Sequence, residues 1–176
     1  MRLTAPLSGY LMPIETVLDP VFAQKMVRDG ISIDPISNTL RAPCDGEIIQ
    51  IHPSHHAMTL KTPEGVEILM HVGLDMVELR GEGFLPQVKL DDHVTPGAAL
   101  LEFDIDYVAL HAKSLLTQIV VKNTECIAEF IFQQGLVNVG QDIFLELMLA
   151  ANGVAQETTT GEIVISEPIV KRMFNA

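Results

Sequence analysis

The stretch from His55 to Gly73, His-His-Ala-Met-Thr-Leu-Lys-Thr-Pro-Glu-Gly-Val-Glu-Ile-Leu-Met-His-Val-Gly, constrains the fold more than any other part of the chain. Apolar and β-branched residues flank Thr62-Pro63-Glu64-Gly65, and Pro, Glu and Gly in succession are turn chemistry, so the segment reads as a β-hairpin. A four-residue loop over 62–65 sets Lys61 against Val66, Leu60 against Glu67, Met58 against Leu69 and His56 against His71. Directly opposed residues of an antiparallel pair share a face, with Cβ atoms ~4.5–5.5 Å apart. Two imidazoles fifteen residues apart in the chain thereby become neighbours. Strand alternation turns His55 to the other face. A slip of one residue would send every side chain to the opposite face and break the pair.

The rest of the chain supplies strands to flank this hairpin. The first fifty residues are short apolar runs cut by Gly and Pro, as in Leu40-Arg41-Ala42-Pro43-Cys44-Asp45-Gly46, and such frequent turn signals belong to an all-β sandwich or barrel. Further strands are expected at 88–90, 100–104, 119–122, 128–132 and 143–148, and a helix at 107–116. Asp19 with Pro20 suits the cap of a single helical turn. Ala5-Pro6-Leu7-Ser8-Gly9 and Ala42-Pro43-Cys44-Asp45-Gly46 share an Ala-Pro-x-x-Gly pattern, a short internal repeat. Gly81-Glu82-Gly83 hinges a loop but lacks the length and following helix of a phosphate cradle.

Composition narrows the function classes. The 176 residues are 48% hydrophobic without a tryptophan, enough for one full aliphatic core. Acidic residues outnumber basic ones 23 to 11, a charge of −12 that repels phosphate backbones and argues against nucleic acid while suiting a basic protein partner. Cys44 and Cys126 lie far apart in no C-x-x-C pattern, which implies a reduced, cytoplasmic protein. No apolar run approaches the ~18 residues of a membrane span, and the N-terminus lacks a signal core, so no direct membrane insertion is expected.

Six histidines, at 52, 55, 56, 71, 93 and 111, are the candidates for chemistry, and the hairpin singles out His56 and His71. Three functions fit the pair. One imidazole can attack a phosphoryl group while the other donates to the transferred oxygens. Two or three histidines with Asp75 would satisfy zinc, although no H-E-x-x-H and no cysteine cluster accompanies them. An acid/base pair polarised by a carboxylate such as Asp75 is the third. The apolar flanks Ile68-Leu69-Met70 and Val72-Gly73-Leu74 must turn some side chains outward beside His71, which suggests a protein-docking rim, and Gly73 leaves room for an approaching group.

Gly65-Val66-Glu67-Ile68-Leu69-Met70-His71-Val72-Gly73-Leu74 resembles the active-site signature of the glucose-type enzyme IIA components of the bacterial phosphoenolpyruvate-dependent sugar phosphotransferase system. Ala5-Pro6-Leu7-Ser8-Gly9, Asp19-Pro20-Val21-Phe22-Ala23, Asp29-Gly30-Ile31, Ala42-Pro43-Cys44-Asp45-Gly46, His56-Ala57, Gly81-Glu82-Gly83-Phe84 and Lys113-Ser114-Leu115-Leu116-Thr117 are similar to that family's other landmarks, in order, over about residues 3 to 149. The resemblance implies an antiparallel β-sandwich with short helical turns. It implies that His71 carries the phosphoryl group and His56 supports it, with no diffusible cofactor. The donor would be the histidine phosphocarrier protein and the acceptor a cysteine on the enzyme IIB domain of a sugar permease. Ser54 falls where the family has a hydroxyl that hydrogen-bonds the supporting histidine. Asp19 and Asp75 match carboxylates near the site, and Val21, Phe22, Val27, Leu69 and Val77 match the apolar docking rim. Met76, Arg28 and His52 stand where the family usually has Thr, Gly and an aromatic residue, all at or near that partner face. A regulatory protein that binds targets according to its phosphorylation state is a compatible second role.

From Ala150 the composition changes to Ala-Asn-Gly-Val-Ala-Gln-Glu-Thr-Thr-Thr-Gly-Glu, a linker. The expected organisation is a domain over 1–149 and, over 150–176, a linker with the opening of a following domain, as in fusions of an enzyme IIA to phosphocarrier and enzyme I domains.

Overall fold

The computed structural model describes residues 1–16 and 30–150. Among these the strands are β1 (Arg2–Thr4), β2 (Gly9–Pro13), β3 (Gly30–Pro35), β4 (Thr39–Arg41), β5 (Gly46–Ile51), β6 (Ala57–Lys61) and β7 (Glu67–His71). They continue with β8 (Phe84–Pro86), β9 (His93–Val94), β10 (Ala99–Phe103), β11 (Thr117–Val121), β12 (Ile127–Phe132), β13 (Gly135–Val137) and β14 (Ile143–Leu149). The helical pieces are α1 (Ile105–His111) and short 3-10 turns, among them Ile14–Thr16 and Met76–Leu79. Every strand pair is antiparallel, in one eight-stranded sheet ordered β13-β2-β3-β11-β7-β6-β5-β9 and two three-stranded sheets, β1-β14-β12 and β4-β10-β8. This is the all-β sandwich with short helical turns. The expected helical turn at Asp19 lies outside the described residues.

The hairpin is present, but its register is one residue off the expected one. Lys61 faces Glu67, Leu60 faces Ile68, Met58 faces Met70 and Ala57 faces His71. The loop is therefore 62–66, because Val66 closes the turn instead of entering the ladder. The Thr62 N–H donates to the Val66 carbonyl at 2.9 Å, and the Val66 N–H donates to Thr62 Oγ1 at 3.2 Å. Asn123, remote in sequence, locks the arrangement: it accepts from the Glu67 N–H at 2.8 Å and donates to the Gly65 carbonyl at 2.7 Å.

This register sends Met58, Leu60, Ile68 and Met70 into the main core, where they join Ile31, Ile33, Ile119 and Val121 of neighbouring strands. The opposite face is buried too. Thr59 and Leu69, Ala57 and His71, and Gln118 and Val120 are all covered there, and Ile14 packs onto it near Gly30. The centre of the large sheet is thus buried on both sides, which explains why the 66–72 run is nearly unbroken apolar sequence.

The Ala-Pro repeat is paired in space. The Thr4 N–H reaches the Pro43 carbonyl and the Arg41 N–H the Pro6 carbonyl, each at 2.9 Å. Gly9 and Gly46 then open β2 and β5, where a Cβ would meet the Asp34 carbonyl at 2.1 Å or the Lys61 carbonyl at 2.6 Å. Close backbone approach is what each repeat requires of its glycine.

Two boundaries differ from the sequence reading. The expected strand at 88–90 is a turn, since Asp92 takes the Lys89 N–H at 2.8 Å and Asp91 has φ 68°; the strand is Phe84–Pro86 instead. The helix begins two residues early because Asp104 caps it through the Tyr107 N–H, and ends at His111 as Ala112 turns extended.

A buried histidine cluster as the candidate active site

His71 ends β7, opposed on one side by Ala57 and on the other by Gln118. The chain then reverses through Gly73, whose φ of 71° favours glycine. That reversal brings the Gly73 carbonyl back to the imidazole, 2.9 Å from Nδ1. A carbonyl only accepts, so Nδ1 carries a proton, and in the neutral ring Nε2 keeps its lone pair. Gly73 does not leave room for an approaching group: a Cβ there would overlap the Met76 Cε and lie 2.8 Å from the Ser114 carbonyl. Met76 is itself fully buried in the core beneath this turn, so it is not part of a partner face.

His56 reaches His71 by a route the register argument did not foresee. It lies just before β6, where His55 adopts φ 59° and its N–H bonds the His52 carbonyl at 2.8 Å. The backbone has left strand geometry, so alternation no longer governs which way His56 turns. Its ring stands 4.8 Å from that of His71, edge to face. The small side chain of Ala57 opposite His71 suits this approach. On its other side His56 meets His52, ring to ring at 4.4 Å. His52, one of the six candidate histidines but expected on the rim of the partner face, is instead a buried third member of the cluster. Its Nδ1 accepts the Ser54 N–H at 3.0 Å. His55 turns away, and His93 and His111 are exposed elsewhere.

Burial dominates the electrostatics. It pulls the His71 imidazole down to about 4 against the favourable Gly73 carbonyl, with His52 adding to the fall and Gln118 opposing it. It pulls His56 down to about 3, helped by His71 and His52 and opposed by the Ser54 backbone. That backbone group lies outside hydrogen-bond geometry, and both His56 nitrogens are unpartnered. Both rings are neutral at pH 7. His71 retains 5% of its surface accessible and His56 none, so His71 is the more accessible of the two rings.

The other expected site residues fall out as follows. Ser54 serves His52 through its backbone, and the expected hydroxyl bond to His56 is not made, because the turn points the Ser54 N–H at the His52 ring. Asp75, at φ 58°, is exposed and pairs with Lys113 at 3.7 Å rather than with either imidazole. Leu69 is fully buried against Thr59 and Val120, so it forms no exposed docking rim. Asp19, Val21, Phe22 and Val27 lie outside the described residues, as does the Val77 side chain. Among the described residues no group of three or more His, Cys, Asp or Glu side chains is disposed to hold a metal, and with Asp75 turned to Lys113 the zinc arrangement lacks its carboxylate. Cys44 and Cys126 are free thiols, and no described helix is long and apolar enough to cross a membrane.

Residues 1–127 match the model of the family described as phosphoenolpyruvate-dependent sugar phosphotransferase system, EIIA 1. The chain belongs to this family. As an EIIA component it is a phosphoryl-relay protein of sugar uptake. The glucose-specific EIIA component of Halalkalibacterium halodurans is 48% identical over 126 residues, covering 72% of this chain and 73% of that one. That of Borreliella burgdorferi is 35% identical over 97% of this chain and 88% of its own. The glucose-specific EIICBA component of Staphylococcus saprophyticus is 41% identical over 71% of this chain but only 18% of its own length. In structure, glucose permease IIA from Mycoplasma capricolum superposes with a TM-score of 0.75 at 34% identity, over 82% of this chain and 94% of that one.

Proposed function

We propose that His71 is the phosphoryl carrier, attacking through Nε2, and that His56 supports the group it receives. The observation that carries this is the 2.9 Å contact of His71 Nδ1 with the Gly73 carbonyl, which leaves Nε2 unprotonated in a ring held neutral by burial. A phosphoryl group arriving in line exchanges its bond to the donor nitrogen for one to Nε2. The ring keeps its Nδ1 proton on Gly73, so no proton leaves His71. His56, with neither nitrogen committed, donates to a phosphoryl oxygen from 4.8 Å ring to ring. On delivery a thiolate attacks phosphorus, a P–S bond replaces the P–N bond, and His71 returns to its neutral form.

The donor in this reading is the histidine phosphocarrier protein, and a chain of charge −12 suits a partner with a basic docking surface. The acceptor is a cysteine of an enzyme IIB domain, a reading supported by the relative whose name joins IIC, IIB and IIA. The relay operates in the cytoplasm, on a IIA domain over 1–149, with 150–176 a linker into a further segment. Incubation with phosphoenolpyruvate, enzyme I and the phosphocarrier tests it. We expect an acid-labile phosphoryl group on the wild type, none on His71→Ala, and on His56→Ala acceptance without onward transfer. Labelling that persists in His71→Ala would refute the assignment.

A further inference from the structure

Among the described residues, five buried side-chain atoms have no hydrogen-bond partner: Ser32 Oγ, Thr59 Oγ1, Gln118 Oε1 and both His56 nitrogens. Folded chains leave few such atoms unpaired, and four of these five belong to residues in or beside the sheet row that carries His71. Ser32 faces Gln118 across β3 and β11, and Gln118 faces His71 across β11 and β7, so the three stand in one row on one face of the sheet. Ser32 and Gln118 are fully buried. The Gln118 amide nitrogen donates once, to the Leu116 carbonyl at 2.7 Å, which holds the carboxamide and leaves its second N–H uncommitted. The carboxamide lies against the His71 imidazole; its Oε1 is an acceptor that favours the protonated ring, so only its nitrogen can donate to an anion. Thr59 belongs to the neighbouring row, opposite Leu69.

We propose that Gln118 and Ser32 bind the oxygens of the phosphoryl group on His71, Ser32 through its hydroxyl and Gln118 through the N–H that Leu116 does not hold. This rests on His71 being the carrier. Both groups are donors in a water-poor site, and a phosphoryl group brings acceptor oxygens with charge, the combination in which a hydrogen bond is strongest. His56 approaches the phosphoryl group from the β6 side, Gln118 from the adjacent strand β11, and Ser32 from β3, one strand further along the same row. Their role is to favour the phosphorylated state of His71 over that of the donor and to shield it from water.

The test uses the full chain with phosphoenolpyruvate, enzyme I and the phosphocarrier. Equilibrium phosphorylation, phosphohistidine lifetime and the phosphorus-31 resonance are compared in wild type, Ser32→Ala, Gln118→Leu and Gln118→Glu. Loss of one hydrogen bond to a charged group is expected to shift the phosphoryl equilibrium about tenfold or more toward the donor. Each variant moves the phosphorus resonance, and Gln118→Glu, which sets a carboxylate against the phosphoryl group, falls furthest. Variants that lose only thermal stability, with equilibrium, lifetime and resonance unchanged while wild type is labelled on His71, overturn the inference and leave the carrier assignment standing. A wild type with no label on His71 overturns both. If Gln118→Leu does not fold, Ser32→Ala, which removes a single oxygen, decides on the same readouts.

Discussion

At His71 the decisive neighbour is a backbone carbonyl two residues on, and it is in place only because residue 73 is glycine. An alanine there would have to hold φ 71° and displace both the Met76 thioether and the Ser114 carbonyl. Gly73→Ala is expected to cost about 2 kcal/mol or more in urea denaturation. It is also expected to slow phosphoryl acceptance as the carbonyl leaves Nδ1. An unchanged rate would mean that the carbonyl does not set the tautomer. The two histidines were legible in the sequence as a pair, yet the reasoning that paired them was incomplete. His56 meets His71 because residues 52–56 leave the strand, with His55 at a positive φ, and not because the two face each other in the ladder. His52 was passed over because nothing local distinguishes a cluster histidine from a rim residue. Its spacing of four from His56 has no meaning until the intervening turn is seen.

Among the elements, the hairpin was readable and its register was not. Pro, Glu and Gly announce a turn, but whether Val66 belongs to the loop or the strand depends on Thr62 Oγ1 and on Asn123, 56 residues beyond the Glu67 whose N–H it accepts. Thr62→Ala removes the hydroxyl that accepts the Val66 N–H. The expected loss is about 1–2 kcal/mol, with faster amide exchange at Val66 and slight change at Met58 or Met70 deeper in the ladder. Equal protection at Val66 in mutant and wild type would show that Asn123 and the backbone bonds hold the loop without the Thr62 hydroxyl. The helix start was misplaced for a similar reason: Asp104 is an ordinary strand-end residue in sequence and becomes a cap only when its carboxylate takes the Tyr107 N–H.

Across the whole molecule, sheet order creates the site. The sequence of strands β3, β11, β7 and β6 lines up residues 32, 118, 71 and 57, an adjacency that no pattern within any single segment records. The all-β class was legible from turn frequency and short apolar runs. That the large sheet is buried on both faces is not legible in any one strand, and it is why Leu69, expected on the rim, is fully buried. This double burial makes global stability depend on pH. Above 6.5 both folded and unfolded chains hold neutral rings at 56 and 71. Below 6.5 the unfolded chain takes protons that the fold refuses until about 4 at His71 and about 3 at His56. Stability therefore falls as pH drops through this window, approaching about 1.4 kcal/mol per pH unit for each histidine. Urea titrations across pH 7 to 4 should show a shallower slope in His56→Ala than in wild type; equal slopes would contradict the burial argument. The fold as a whole delivers one nitrogen, Nε2 of His71, in a neutral ring with its other nitrogen already committed. Nitrogen-15 NMR of the histidine-labelled chain, phosphorylated by phosphoenolpyruvate, enzyme I and the phosphocarrier, observes that nitrogen directly. The expected spectrum shows phosphorus bonded to Nε2 of His71 with the Nδ1 proton retained; phosphorus on Nδ1 of His71, or on His56 or His52, would contradict the account.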